Sequence, residues 1–130
     1  MTDIRDKADI KILINAFYQQ VRKDDRLGSV FAARIPDEEW PIHLEKMYGF
    51  WNSVLFAQHD YRGRPFAKHA LLPIEDLHFE RWLLLFGQTV DAHFSGPKAE
   101  EAKMRAGKIG ELFQSKLAFL RSQEGYKRLI

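Results

Sequence analysis

The chain has 130 residues, 45% apolar and 29% charged, with a net charge of +2 and a pI near 8.9. That composition describes one globular domain over residues 1–130 with a substantial core, and excludes a disordered chain. There is no cysteine, so disulfides, thiolate nucleophiles and Cys-based zinc sites are ruled out. No Lys/Arg run interleaved with aromatics suggests nucleic acid, and no apolar run reaches the roughly 18 residues of a membrane span. The N-terminus is charged and lacks a leader's apolar stretch, so a cytoplasmic protein is expected.

In chain order, residues 1–6 read as a frayed polar end. From about Lys7 to Lys23, Ile10, Leu13, Ile14, Phe17 and Val21 repeat at helix spacing and face a core. Tyr18 edges that inner face, and a buried tyrosine hydroxyl needs a partner; the plain reading is that it bonds a backbone carbonyl or reaches solvent. Arg26 to Arg34 is a short second element with Leu27, Val30 and Phe31 inward, closed by Pro36. Asp37 is placed to cap the next helix, with Glu38 and Glu39 in its first turn and Pro41 tolerated near its start. That helix runs to about Ala57 through Trp40, Leu44, Met47, Trp51, Val54 and Leu55. His43, Met47, Phe50 and Val54 fall on one line of it, by steps of four, three and four. Lys46 flanks the line, either solvated or with its stem along the core and its ammonium at the rim.

Tyr61 to Leu72 is a basic connector punctuated by Gly63 and Pro65. Pro65 can open a short helix carrying Phe66, His69 and Ala70. The basic excess at residues 62–68 suits a small anion better than a polymer. After Pro73, Glu75 and Asp76 begin the most apolar helix, with Phe79, Trp82, Leu83, Phe86 and Val90 running to about Phe94. Ser95, Gly96 and Pro97 break the pattern. A last helix spans about Lys98 to Arg121, with Ala102, Ala106, Ile109, Leu112, Phe113, Leu117 and Leu120 facing in. No strand pattern is present, so the class is all-α, with four longer helices and two short ones.

Most chemistries fail on this inventory. No serine sits in a strand-to-helix elbow, the His-Glu-x-x-His pattern is absent, and no Glu-x-x-His pair occurs twice as a di-iron bundle requires. What remains is an inward histidine, His69, on a short element facing Phe, Trp, Met and Leu. Across from it stand polar groups on three helices: Tyr18, His43 and Trp82, the last a donor that cannot accept. Haem needs this combination of a large apolar slot, one imidazole ligand and an open opposite face. Arg64, Lys68 and Lys46 can meet its anionic propionates. The other reading of His69 is a packed or surface histidine.

Several motifs carry a resemblance that spans about Ile14 to Ile109. They are Phe17-Tyr18, Val21-Arg22-Lys23-Asp24, Leu27-Gly28, Phe31, Asp37-Glu38-Glu39-Trp40, His43, Phe50-Trp51, Asp60-Tyr61-x-Gly63-x-Pro65, Lys68-His69 and Trp82-Leu83-x-Leu85-Phe86. In combination the chain resembles a group III truncated haemoglobin. The resemblance implies a two-over-two helical sandwich, and the absence of paired glycines agrees with that branch. It implies haem b with His69 as the proximal iron ligand, and Tyr18 and Trp82 as distal donors to bound oxygen. His43 would stand at the distal position, as a gate or a space-filling histidine. Phe31, Met47, Phe50, Trp51, Tyr61, Phe66, Leu72, Phe79 and Phe86 complete the expected haem surround. His59, His78 and His93 match no functional position and are expected to be exposed or capping.

Three functions follow as expectations. The first is chemistry on oxygen, nitric oxide or reactive oxygen species, such as nitric oxide dioxygenation or peroxidase-like turnover. It would need an electron donor on a separate protein, because no flavin or nicotinamide fingerprint is present. The second is storage or sensing of a diatomic ligand, and the third a haem-free helical interaction module. A monomer or weak dimer is expected.

Overall fold

The computed structural model describes residues 1–58 and 76–129, with side chains described to residue 120 and at residue 122. The expected short helix from Pro65 lies outside the described residues. So do Tyr61, Arg64, Phe66, Lys68, His69 and Leu72.

Helix α1 spans Lys7–Lys23. Asp6 caps it by accepting from the Asp9 N–H at 3.1 Å, one of the donors an isolated helix start leaves open. Its stripe of Ile10, Leu13, Ile14, Phe17 and Val21 is fully buried. Each such side chain contributes about 1.5 to 3 kcal/mol of burial. Helix α2, Gly28–Arg34, follows within four residues. The turn is tight because Gly28 lies against the end of α1: a Cβ there would sit 2.8 Å from the Arg22 carbonyl oxygen.

A 3₁₀ turn, Asp37–Glu39, leads into α3, Trp40–Phe56. Here one expectation is corrected. Asp37 does not cap α3; its carboxylate accepts from the Arg22 guanidinium at 2.7 Å. The intervening 3₁₀ turn moves Asp37 away from the first α-helical N–H groups, while Arg22 stands within reach. Pro41 falls in the first turn of α3, where its missing N–H costs nothing.

Helix α4 spans Asp76–His93 and α5 spans Pro97–Leu129. Helix α1 packs on both α3 and α4, α4 runs along α5, and α3 touches α5. The result is the expected all-α two-over-two sandwich, α1 and α3 in one layer and α4 and α5 in the other. At its centre Phe86 stacks on Trp51, ring centroids 4.8 Å apart, and meets Phe17 edge-on at 5.1 Å. No helix among the described residues is long and apolar enough to cross a membrane.

The N-terminal end is a strap rather than a loose tail. The Asp3 carboxylate accepts from the N–H groups of Lys98 and Ala99, at 2.9 and 2.8 Å, and so caps α5 from 95 residues away. Gly96 permits this: it has φ +144°, and a Cβ would lie 2.5 Å from the Asp3 side chain. Lys98 in turn donates to the Leu55 carbonyl at 2.6 Å, fastening the start of α5 to the end of α3.

Helix α5 is longer than its apolar pattern suggests, running to Leu129 rather than Arg121. Leu112 and Leu120, expected inward, are 51% and 41% exposed. The buried stripe steps instead through Ala102, Ala106, Phe113 and Leu117. Leu112 falls off that stripe, and Leu120 lies past the start of α4, which is marked by the contact of Gln114 with Asp76.

Candidate functional site

The helices do not close on one another everywhere. The gap is an apolar cavity with about 710 Å³ of empty space, part of it continuous with solvent. Its described walls come from every helix. Tyr18 arrives from α1, Val30 and Phe31 from α2, and Met47, Phe50 and Trp51 from α3. His78, Phe79 and Trp82 come from α4, and Ile109, Gly110 and Phe113 from α5, with Leu27 at the α1–α2 corner.

Tyr18 brings an O–H and Trp82 an N–H to the wall. Tyr18 is 6% exposed and packs on Phe17, centroids 5.0 Å apart, with Phe31 at 6.2 Å. Desolvation pushes its phenol well above the ordinary tyrosine range, so the hydroxyl keeps its proton throughout physiological pH. Trp82 is braced by Phe17 edge-on at 5.6 Å and by Phe86 stacked at 5.7 Å. Its indole can only donate. A salt bridge adjoining Trp82 fixes the register of its helix. Arg81 donates to Asp24 at 2.7 Å, and the Asp24 carboxylate, its side chain 4% exposed, also accepts from the N–H groups of Arg26 and Leu27.

The third polar residue is placed differently. His43 is half-buried with its Nε2 enclosed, and its ring stands edge-on to Tyr18 at 5.5 Å and to Trp40 at 5.3 Å. It flanks Tyr18 rather than lining the cavity. Of the expected surround, Phe31, Met47, Phe50, Trp51 and Phe79 line the cavity. Phe86 does not: it is 1% exposed and buttresses the wall from behind, stacked on both Trp51 and Trp82. Lys46 is exposed on α3, outside the described wall.

His78 is a correction. It is a half-buried member of the cavity wall, not an exposed or capping histidine, because it turns inward beside Phe79 at the start of α4. His93 is exposed as expected, its Nδ1 2.9 Å from the Thr89 carbonyl oxygen. His59 lies outside the described residues. Leu27, Val30, Ile109, Gly110 and Phe113 join the wall without a site motif in the sequence. The step of four from Ile109 to Phe113 was the available signal, but it marks a core stripe equally well.

Residues 3–111 match the family profile of the bacterial-like globins. A group 3 truncated haemoglobin of Campylobacter jejuni is 37% identical over 108 residues, which are 81% of this chain and 85% of that protein. The chain belongs to the group III truncated haemoglobins. The crystal structure of a group III truncated haemoglobin from C. jejuni superposes with a TM-score of 0.83 at 35% identity, covering 90% of this chain and 95% of that one. As a globin, the truncated haemoglobin described here binds haem and diatomic ligands of the oxygen type. Its cavity fits that group: the walls are aromatic and aliphatic, a planar macrocycle needs such a slot, and the lining includes a protonated phenol from α1 and an indole from α4. Among the described residues no cluster of His, Asp and Glu offers a competing metal site.

Proposed function

We propose that this single-domain globin holds haem b through His69 and retains a polar diatomic ligand by hydrogen bonds from Tyr18 and Trp82. On this reading it turns that ligand over in nitric oxide dioxygenation or peroxidase-like chemistry. The observation that carries the reading is the convergence of a buried, protonated phenol from α1 and an indole from α4 on one apolar cavity. When bound, the haem iron supplies the ligand site and one-electron chemistry.

The chain's own residues do the rest. With haem bound, the Tyr18 O–H and the Trp82 N–H would donate to a diatomic ligand that carries negative charge, as oxygen does, and hardly to carbon monoxide. Each hydrogen bond to a charged partner is worth about 1.5 to 3 kcal/mol, or roughly ten- to a hundredfold in release rate. Phe31, Met47 and Phe50 exclude water, which strengthens both bonds. Lys46, Arg64 and Lys68 are assigned to the propionates, and Tyr61, Phe66 and Leu72 to the haem face near His69. His43, beside Tyr18, is assigned to the gate. Slow release favours turnover over delivery and requires electrons from a separate donor protein. A cytoplasmic monomer or weak dimer completes the proposal.

The test is rapid mixing of the oxygenated protein with nitric oxide. Stoichiometric nitrate with conversion to the ferric form is expected. Simple displacement of oxygen would leave storage or sensing as the function. His69→Ala should strip the proximal bond and speed haem loss; unchanged iron–imidazole vibrations would refute that ligand.

A further inference from the structure

We propose that Trp40, clamped by Arg22, is the positioning residue that holds the His43 ring against Tyr18. The clamp thereby limits how readily a ligand enters from the distal side. The inference rests on the reading of His43 as the gate and names what restrains it.

Tyr18, Trp40 and His43 form a closed triangle of rings. Tyr18 and Trp40 are 5.6 Å apart, and each meets the His43 ring at close to a right angle, 82° and 90°. The imidazole therefore cannot turn without displacing one of the other two. Tyr18 has core behind it, with Phe17 and Phe31 against its ring. Trp40 shares only Phe31, at 6.3 Å, and takes the rest of its cover from an exposed side chain. It is the first residue of α3, and it is 3% exposed while the Arg22 guanidinium lies over its ring, Cζ 4.6 Å from the centroid.

Arg22 is in turn held by Asp37, in the 3₁₀ turn that feeds Trp40 into α3. Asp37, Arg22, Trp40 and His43 thus make one linked corner where the end of α1 meets the start of α3. Its outer pair is solvent-exposed, 43% for Arg22 and 92% for Asp37, so it is intrinsically weak and screened by salt. The yielding side of the triangle is therefore Trp40, and the strength of the clamp sets the population of outward His43.

The test is carbon monoxide association after flash photolysis of the ferrous holoprotein. Arg22→Gln should raise the rate about two- to fivefold, the scale of a surface cation–π contact. Raised salt should move the parent protein toward the variant. Trp40→Leu should raise the rate further, and Trp40→Phe should restore most of the restraint. In a His43→Leu background neither change should matter. The carbonmonoxy form also gives a structural reading, because ring currents from Trp40 and Tyr18 displace the resonances of the His43 ring protons. Arg22→Gln should reduce that shift; loss of general stability alone would not.

Equal acceleration by Trp40→Leu with and without His43 would overturn the proposal. Unchanged rates in Arg22→Gln and Trp40→Leu, with faster binding in His43→Leu, would overturn it while sparing the gate. An unchanged rate in His43→Leu would remove the gate itself. If Trp40→Leu does not fold, Arg22→Gln and the salt series decide.

Discussion

Tyr18 shows how burial fixes a side chain's protonation state. Its phenol is pushed above its ordinary range by desolvation, so the hydroxyl stays protonated across physiological pH. Tyr18→Phe should release oxygen about ten- to a hundredfold faster, on the value of a hydrogen bond to a charged partner. Stopped-flow displacement by carbon monoxide measures it. The parent rate should show no tyrosine titration from neutral pH to about pH 9. Gly28 is the other single-residue constraint. Gly28→Ala would push a methyl to 2.8 Å from the Arg22 carbonyl oxygen, a backbone atom that cannot yield cheaply. A loss of about 1 to 3 kcal/mol is expected, read from urea midpoints. The strain bears on the residue that covers Trp40, so ligand entry should change as well.

Between elements, the informative contact is Asp24–Arg81. It ties the end of the helix that carries Tyr18 to the residue preceding Trp82. Desolvation raises the Asp24 pKa, but the Arg81 guanidinium and the N–H groups of Leu27 and Arg26 outweigh it, and the net shift is downward. Arg81→Ala would leave a buried carboxylate without its cation. A cost of about 1.5 to 3 kcal/mol is expected, the value of a hydrogen bond to a charged group. Both donors should drift relative to each other. Faster oxygen release without loss of haem would separate that drift from unfolding. Asp3 links elements in a different way, as a distant cap on α5. Asp3→Ala should cost about 1 kcal/mol, typical of a lost helix cap, in thermal or urea unfolding.

For the molecule as a whole, these carboxylates set the acid limit. Asp9 is lowered mainly by the Arg5 side chain. At Asp3, desolvation works upward and the N–H groups of Lys98, Ala99 and Ile4 prevail. All three carboxyls, Asp3, Asp9 and Asp24, therefore titrate in the folded chain below the ordinary 3.8. A lowered folded pKa contributes stability in full above the unfolded value and loses it as pH falls through the folded one. Urea midpoints should be flat above about pH 5 and fall steeply below about pH 4. Asp24→Asn should shrink that acid slope.

The fully buried stripe from Ile10 to Val21, the inward Trp51 and Trp82, and the break at Ser95 to Pro97 were all legible in the chain, because helical period and Gly/Pro chemistry are local properties. So was the family, because its motifs survive as residue types at fixed spacings. Three-dimensional packing decided what local pattern could not. It turned His78 into the cavity wall, set Phe86 behind that wall, and left Leu112 and Leu120 exposed. It also took Asp37 away from its helix and gave it to Arg22, and it reached from Asp3 to the start of α5. Each of these depends on which helix lies opposite, and a periodic pattern carries no information about its partner. A single sequence therefore determines which face of a helix is apolar, whereas the space between the layers, and so the pocket, exists only once those faces have met.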